Sequence, residues 1–377
     1  MKIGINALYS MSGGYGGMQV YFENLTKSLL EIDRKNTYIF FCNAQNYREL
    51  NFEEHNASKV FCRASRGLSL SKTLWEQFVL PLQTIAYGID ILFSPAYIAP
   101  VLISCKSVVT IHCTKYIKHP EDFDSTGLFV LKTFIPLSAR KSDKIITVSN
   151  CTKSEVIDSY KVPPGKVAVI PYAAASHFNP SGNMAEFLNE KYGISGKYIL
   201  SVASTKPHKN VQGLIEAYIK LKEERGIEHK LVLVGDKRPL LKHNWFSKYS
   251  NWQDHILFTG IIPNNELPPL YSNADAFVFV SKYESFGIPI IEAMSCGTPV
   301  VTSTSYAMPE VAAGCALLAD PDNTNDIAEK IYELLTKEDL KTKLVETGKK
   351  HAGTFSWKRT AEMTLKVFEE ICNVKQY

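Results

Sequence analysis

Short apolar runs alternate with longer amphipathic segments along this chain, and the whole alternation occurs twice. The first series of runs is KIGINAL at 2–8, TYIFFCN at 37–43, DILFSP at 90–95, SVVTIH at 107–112 and KIITVS at 144–149. The second series is YILSVAS at 198–204, KLVLVGD at 230–236, HILFTG at 255–260, AFVFVS at 276–281 and TPVVTS at 298–303. Strand-length apolar runs separated by helical segments predict parallel sheets with helices on both faces. We therefore expect an α/β protein of two doubly wound, Rossmann-like domains facing a cleft.

A turn-rich stretch separates the two series. Residues 162–183, VPPGKVAVIPYAAASHFNPSGN, hold many Pro, Gly, Ser and Asn residues, which mark loops and domain boundaries. The length of 377 residues also suits two domains of roughly 150–200 residues each. We predict an N-terminal domain over 1–172 and a C-terminal domain over 173–356. A last helix, 357–377, is expected to pack back on the first domain.

Charge and composition exclude several classes of protein. The net charge of +4 is small for this length, so we expect no nucleic-acid groove. An apolar stretch of about 18 residues, which a membrane span needs, does not occur. The eight cysteines are scattered without C-x-x-C pairs, which indicates reduced thiols in a cytoplasmic protein. The segment LWEQFVLPLQTIAYG at 74–88 reads as a helix that restarts near Pro81, and it leaves domain packing and peripheral contact with the inner membrane both open.

Two glutamates flank a turn in the stretch SKYESFGIPIIEAMSCGTP at 281–299. Glu284 lies in the loop after a strand. Seven residues separate it from Glu292, which we place in the first turn of a helix that begins near Pro289. A ligand with hydroxyl groups at both ends and an anion in its middle would fit between two such carboxylates.

The residues between the two glutamates supply the anion site. Backbone N–H groups of Phe286, Gly287 and Ile288 are expected to point out of the helix N-terminus, where they bind anions, and Gly287 allows a close approach. A nucleotide sugar has the matching layout of sugar, diphosphate and ribose. Each glutamate taken alone would equally fit a surface loop or a helix-terminal acid.

Together, the two glutamates and the FGIP and EAMSCGTPVV segments resemble the signature region of the family 4 glycosyltransferases. The resemblance covers nearly the whole chain and is strongest from about 196 to 330. It implies the two-Rossmann-domain GT-B fold, with an acceptor side in the first domain and a donor side in the second. It also implies retaining transfer of a hexose from a UDP-hexose such as UDP-glucose, or from GDP-mannose, to a glycan or lipid-linked acceptor in polysaccharide synthesis. By the same resemblance, Glu284 contacts the donor sugar and Glu292 binds the ribose.

A glycine-rich stretch, SGGYGGMQVYFENL at 12–25, follows the first strand and opens the first helix. It matches neither G-x-G-x-x-G, because Gln19 stands where the last glycine belongs, nor a P-loop. The remaining interpretation is a flexible loop at a helix N-terminus. It is either a plain turn or a loop that approaches a diphosphate. The resemblance places Gly16 and Gly17 nearest the phosphate.

Cations follow the first strand of the second series in SVASTKPHKNVQGLI at 201–215. Lys206 and Lys209 there are candidates to bind a diphosphate, and Lys209 followed by Asn matches the lysine of the family's loop. The family's arginine position holds Ser204, and its glycine position holds Ala203. The second cation is therefore left open between Lys206 and His208.

His112 ends a buried strand in VVTIHCTKY. A single histidine there fits a satisfied core residue as well as a functional one. The resemblance makes it a catalytic residue that hydrogen-bonds the donor sugar, although Cys113 stands where the family often has Asp.

Two further loops are implied in binding the nucleobase. By resemblance, Gly235 at the end of LVLVGD and Ile261 in FTGIIPNNEL contact the base through their backbone. Ile262 and Leu267 in the second loop fit the domain core equally well.

We expect no cofactor and no metal ion. Asp-x-Asp occurs at Asp122–Asp124 and at Asp320–Asp322, in turn-like stretches that we interpret as surface acids. The alternatives left open are a nucleotide-sugar epimerase, a phosphorylase, although no pyridoxal motif is evident, and a catalytically silent nucleotide-sugar binding subunit.

Overall fold

The computed structural model describes residues 1–9, 17–52, 54–65, 67, 69–238, 240, 246 and 249–373. The chain divides into two compact units. The first unit comprises Met1–Tyr172 together with Trp357–Tyr377, and the second comprises Ala173–Ser356.

The described part of the first unit contains a seven-stranded sheet in the order β3-β2-β1-β4-β5-β6-β7, and every paired strand is parallel. Its strands are β1 Lys2–Ala7, β2 Thr37–Cys42, β3 Ala57–Phe61, β4 Ile91–Ser94, β5 Lys106–Thr110, β6 Lys144–Thr147 and β7 Val167–Val169. Most strand residues are buried, as a sheet covered on both faces requires.

The order reverses between β1 and β4. The connections from β1 to β2 and from β2 to β3 run toward one edge of the sheet, and the connection from β3 to β4 runs toward the other edge. Because parallel crossovers are right-handed, connections in opposite directions lie on opposite faces of the sheet. The helices of this unit are α1 Gly17–Ile32, α2 Ala44–Glu49, α3 Leu70–Phe78, α4 Leu80–Ala86, α5 Lys115–Lys118, α6 Ser125–Lys141, α7 Asn150–Tyr160 and α15 Trp357–Asn373. Helix α15 returns to this unit through buried contacts. Thr360 donates a hydrogen bond from Oγ1 to the carbonyl of Pro171 at 2.9 Å, and the Phe368 ring lies 5.3 Å from the ring of Phe93.

The described part of the second unit contains a six-stranded parallel sheet in the order β10-β9-β8-β11-β12-β13. Its strands are β8 Tyr198–Val202, β9 Lys230–Val234, β10 Ile256–Gly260, β11 Ala276–Phe279, β12 Val300–Ser303 and β13 Leu317–Ala319. Its helices are α8 Ala185–Tyr192, α9 Val211–Arg225, α10 Leu267–Ser272, α11 Ile288–Ser295, α12 Met308–Ala312, α13 Thr324–Thr336 and α14 Glu338–Ala352. The order reverses between β8 and β11, so the loops after these two strands lie where ligands bind in such sheets.

The predicted fold class of two doubly wound α/β domains is confirmed, and so is the helix break near Pro81. Three strands at sheet edges, β3, β7 and β13, were not predicted from the sequence, because β7 and β13 have only three residues each and β3 contains Ser58 and Lys59. Helix α6 was also not predicted, since it contains Pro136, a residue that usually ends a helix.

Candidate active site

The loops after β8 and β11 bring two of the predicted site residues into contact. Lys209 Nζ forms an ion pair with Glu284 Oε1, and both side chains are mostly shielded from solvent. The ammonium also lies 5.5 Å from the centroid of the Phe279 ring at the end of β11. A cation held between a carboxylate and an aromatic face is well placed to receive a second anion.

Asn210 fixes the loop that carries Lys209. Its backbone is left-handed, with φ +55°, and it separates a 3-10 turn at Pro207–Lys209 from α9. Its side-chain amide donates to the carbonyls of Val280 at 3.1 Å and Pro321 at 2.7 Å. These hydrogen bonds tie the loop after β8 to the end of β11, so that Lys209 and Glu284 meet.

Helix α11 begins next to this ion pair. Gly287 is its N-cap, with φ +96° and no side-chain cap hydrogen bond, a conformation that favours glycine. A Cβ at this position would lie 3.1 Å from Ile290 Cδ1. Phe286 is buried against the ring of Phe355, 5.9 Å away, and Ile288 opens the helix. The first-turn amides of α11 therefore face the loop that holds Glu284.

The sequence-based prediction placed Glu292 in the first helical turn, and this is wrong. Glu292 is the fifth residue of α11. The helix begins at Ile288, one residue earlier than expected, and its first turn has no acidic residue. Glu292 is 8% exposed, and its Oε2 accepts a hydrogen bond of 2.9 Å from the Tyr271 hydroxyl. A favourable interaction with the helix terminus therefore does not explain this glutamate.

Burial changes the ionisation of Glu292. Loss of hydration raises its pKa to about 7, and the Tyr271 hydrogen bond opposes that shift without cancelling it. Near neutral pH the side chain exchanges between a carboxylic acid and a carboxylate, and donors that approach it favour the carboxylate.

The loops after β9 and β10 adjoin each other. Gly235 N–H donates to the carbonyl of Gly260 at 3.0 Å, and a Cβ on Gly235 would lie only 2.5 Å from the carbonyl oxygen of Ala203. Ile261, the next residue after β10, is largely exposed, while Ile262 and Leu267 are buried. Ile262 and Leu267 could have contacted the base or packed in the domain core, and their burial shows that they are core residues.

Lys206 and His208 have different surroundings, although both lie in the loop of Lys209. Lys206 is exposed and His208 is buried. Ser204, at the family's arginine position, is exposed. A second phosphate-binding cation from this loop would therefore come from Lys206 without rearrangement of the core.

His112 lies in the first unit, after β5, and is 3% exposed. Its Nε2 lies 2.6 Å from the carbonyl oxygen of Pro95, and its Nδ1 is hydrogen-bonded to the Tyr172 hydroxyl. The Tyr21 ring lies edge-on, with the centroids 4.9 Å apart. A carbonyl only accepts, so Nε2 carries the proton and Nδ1 accepts from Tyr172.

Burial also lowers the pKa of His112 to about 4, so the ring is neutral near pH 7. Both ring nitrogens have protein partners. A contact with a donor sugar therefore requires His112 to exchange one of these partners for a sugar hydroxyl.

Of the glycine-rich loop, Gly17 opens α1 in the first unit, whereas Gly16 lies outside the described residues. The predicted site residues thus fall into two sets. The second unit holds Lys206, Lys209, Gly235, Ile261, Glu284, Phe286, Gly287, Ile288 and Glu292, and the first unit holds His112 and Gly17.

Three contributors to these sites were missed in the sequence. Tyr271 binds Glu292, Asn210 fixes the Lys209 loop, and Tyr172 holds His112. Asn directly after Lys209 was a usable signal, because Asn tolerates left-handed backbone. The two tyrosines are distant in sequence from their partners and gave no local signal.

The Asp-x-Asp pairs have structural partners. Asp122 forms an ion pair with Lys115, and Asp124 caps α6 through a 2.9 Å hydrogen bond from the N–H of Gly127. Asp322 pairs with Lys282 at 2.5 Å. Over the described part of the chain, His, Cys, Asp and Glu side chains form no group of three or more that could hold a metal ion. Among the described helices, none is long and apolar enough to cross a bilayer.

Comparisons with known proteins bear on this arrangement. The family model "Glycosyltransferase Family 4" matches residues 15–174, and the model "Glycosyl transferases group 1" matches residues 185–351. The chain is 29% identical to the O-antigen chain mannosyltransferase B of Escherichia coli, over 70% of each chain. It is 28% identical over 63% of its length to the serotype-specific mannosyltransferase WbdA of Escherichia coli, of which the match spans only 30%. The structure of HepE from Anabaena, in complex with UDP-glucose, covers 98% of this chain and 100% of its own with a TM-score of 0.74 at 17% identity.

Proposed function

Since this chain belongs to the family 4 glycosyltransferases, we propose that it transfers a hexose from a nucleotide sugar to a glycan or lipid-linked acceptor in polysaccharide assembly, with retention of anomeric configuration. The observation that carries the proposal is the contact of Lys209 with Glu284 beside the N-terminus of α11. A cation, a carboxylate and a set of helix-terminal amides lie together at the ends of two adjacent parallel strands.

Each group has a role that suits its chemistry. Glu284 accepts hydrogen bonds from hydroxyls of the donor sugar. Lys209 and the first amides of α11 bind the diphosphate, and Lys206 adds a second cation. Glu292 accepts from the ribose, and the backbone at Gly235 and Ile261 contacts the base.

The proposed chemistry is front-face attack. The bond between the anomeric carbon and the donor phosphate oxygen breaks while the acceptor oxygen bonds to the same face of that carbon. The acceptor's proton passes to the departing phosphate oxygen. Negative charge accumulates on the nucleoside diphosphate as the bond breaks, and Lys209 with the α11 amides stabilises it. In this proposal no metal ion is needed for that charge.

The first unit supplies the acceptor side. In this proposal, as in the family resemblance, Gly17 is assigned to the diphosphate and His112 to the donor sugar, and His112 would give up its bond to Tyr172. We infer that a lipid-linked acceptor would be held at a membrane, which the protein would then contact peripherally.

GDP-mannose is our first candidate donor, because a relative matched over 70% of its own length is named a mannosyltransferase. UDP-glucose is the second, because the similar HepE structure contains it.

Thermal denaturation with GDP, UDP and ADP, each free and as its sugar, tests the donor. The true donor should raise the melting temperature, because a ligand that binds only the native state stabilises it. Incubation with that donor and candidate acceptors then tests the reaction, by NMR of the product's anomeric proton. Nucleoside diphosphate released only with an acceptor supports transfer. Conversion of the donor sugar without an acceptor would instead identify an epimerase, and binding without turnover would identify a silent subunit.

A further inference from the structure

Helix α3 buries its two charged side chains, and α3 and α4 both expose several apolar ones. Lys72 and Glu76 are 0% and 1% exposed, and Lys72 Nζ lies 2.9 Å from Glu76 Oε2. Phe78 and Leu82 are 69% and 65% exposed. A helix on the surface of a globular protein normally has the opposite arrangement.

Contacts with the sheet fix this orientation. Glu76 Oε1 accepts a 2.9 Å hydrogen bond from the amide of Asn6 at the end of β1, and Lys72 Nζ lies 5.0 Å from the ring centroid of Tyr9. Residues two positions apart on a helix point about 200° apart. Holding Lys72 and Glu76 inward therefore directs Leu74 and Phe78 to solvent.

The exposed apolar side chains continue onto α6. Gln77 on α3 donates to the carbonyl of Ala99 at 3.2 Å and accepts from the N–H of Val101 at 2.9 Å. Ser138 on α6 donates to the same Ala99 carbonyl at 3.0 Å. The loop between them carries Leu102, which is 77% exposed. We define the α3–α6 apolar surface as Leu74, Phe78, Leu82, Ile85, Leu102 and Leu137, all of them exposed.

The exposed charges on helices α3, α4 and α6 are all positive. The only acidic residue in 70–86 and 125–141 is the buried Glu76. Exposed cations lie along α6, at Lys132, Arg140 and Lys141. An apolar surface on helices that carry exposed cations and no exposed carboxylate complements an anionic lipid surface.

We propose that the α3–α6 apolar surface docks the protein on a bilayer that contains anionic lipid. A second copy of the chain fits less well, because a two-fold interface needs a self-complementary surface and this one would bring like charges together. The inference rests on the proposed function for the presence of a membrane-held acceptor, and it adds which side of the first unit faces that membrane.

Cosedimentation with vesicles tests the proposal, using phosphatidylcholine alone and phosphatidylcholine mixed with phosphatidylglycerol. The full chain should bind the mixed vesicles more strongly. The double variant Phe78→Ser with Leu82→Ser should partition about tenfold or more weakly, since two large apolar side chains no longer enter the bilayer. Lys132→Gln with Lys141→Gln should weaken binding to the mixed vesicles alone.

Phe61→Ser is the matched control. Phe61 is an exposed aromatic residue on β3, while its neighbours Val60 and Cys62 pack in the cluster that includes Leu80 of α4. Strand alternation therefore places Phe61 on the opposite face of the sheet, and this variant should bind vesicles like the wild type. Equal loss in both variants would overturn the assignment, and so would an absence of vesicle binding or a dimer that Phe78→Ser with Leu82→Ser dissociates.

Catalysis and docking are separable in the same experiment. Glu284→Gln should abolish transfer and still bind vesicles. Vesicle binding by a chain that transfers no sugar to any acceptor would contradict the proposed function while supporting the docking surface.

Discussion

In the proposed donor site, the ionisation of Glu292 links donor binding to pH. Its pKa, raised to about 7 by burial, is above the ordinary value of a carboxyl group. The protonated form therefore stabilises the folded protein at low pH, and that contribution is lost as the pH rises through about 7. The ribose hydroxyls proposed to bind Glu292 favour its carboxylate form, so we expect donor binding to have the opposite pH dependence.

We predict that affinity for the donor nucleotide sugar increases as the pH rises from below to above about 7. Isothermal titration across this range measures it, and the diphosphate of a nucleotide sugar, being a diester, does not titrate there. In Glu292→Gln the dependence should disappear. An unchanged pH dependence in that variant would mean that another group is responsible.

The contact between Lys209 and Glu284 predicts a difference between two neighbouring lysines. Lys209→Met should weaken donor binding by about tenfold to a hundredfold, because it removes a charge-assisted hydrogen bond of roughly 1.5–3 kcal/mol. Lys206→Met, an exposed lysine in the same loop, should have the smaller effect. Titration with the donor compares them, and a larger loss in Lys206→Met would place the diphosphate elsewhere.

At the scale of elements, helix α11 depends on the backbone of Gly287. Gly287→Ala should cost about 1–2 kcal/mol of stability because of its left-handed φ, and it should also weaken donor binding. Gly193→Ala is the matched control. Gly193 has a similar φ of +69° at the end of α8, with no atom near its Cβ position.

Chemical denaturation and donor titration separate the two effects. Both glycine variants should lose stability, and only Gly287→Ala should lose donor affinity. Intact donor affinity in Gly287→Ala would show that the N-terminus of α11 does not bind the diphosphate.

The inverted orientation of helix α3 predicts which of its side chains stabilise the folded protein. Glu76→Leu should destabilise the protein by about 3–5 kcal/mol, because it leaves the Lys72 charge buried without its partner. Phe78→Ser, on the exposed side of the same helix, should change stability by no more than about 0.5 kcal/mol. Denaturant unfolding of both variants measures this, and comparable losses would contradict the inverted orientation of α3.

The sequence could predict elements with strong, regular patterns. The buried central strands and the helix start near Pro289 follow from apolar runs and from proline chemistry. The inverted face of α3 could not be predicted, because a Lys and a Glu four residues apart are typical of a solvated surface. Only tertiary contacts with Asn6 and Tyr9 reverse it.

For the whole molecule, the residues proposed for donor binding and catalysis are distributed over two doubly wound units. Every residue proposed to bind the donor at the ends of β8 to β11 belongs to the second unit, while His112 and Gly17 belong to the first. The two series of apolar runs predicted this duplication, since each sheet needs its own set of buried strands. They could not predict that both ring nitrogens of His112 have protein partners, because Tyr172 and Pro95 are distant in sequence.

A crystal structure with the bound donor nucleotide sugar tests the central claim most directly. We predict a diphosphate within hydrogen-bonding distance of Lys209 Nζ and of the first amides of α11, with the ribose on Glu292 and the sugar on Glu284. A nucleotide bound away from the carboxyl ends of β8 and β11 would contradict the account.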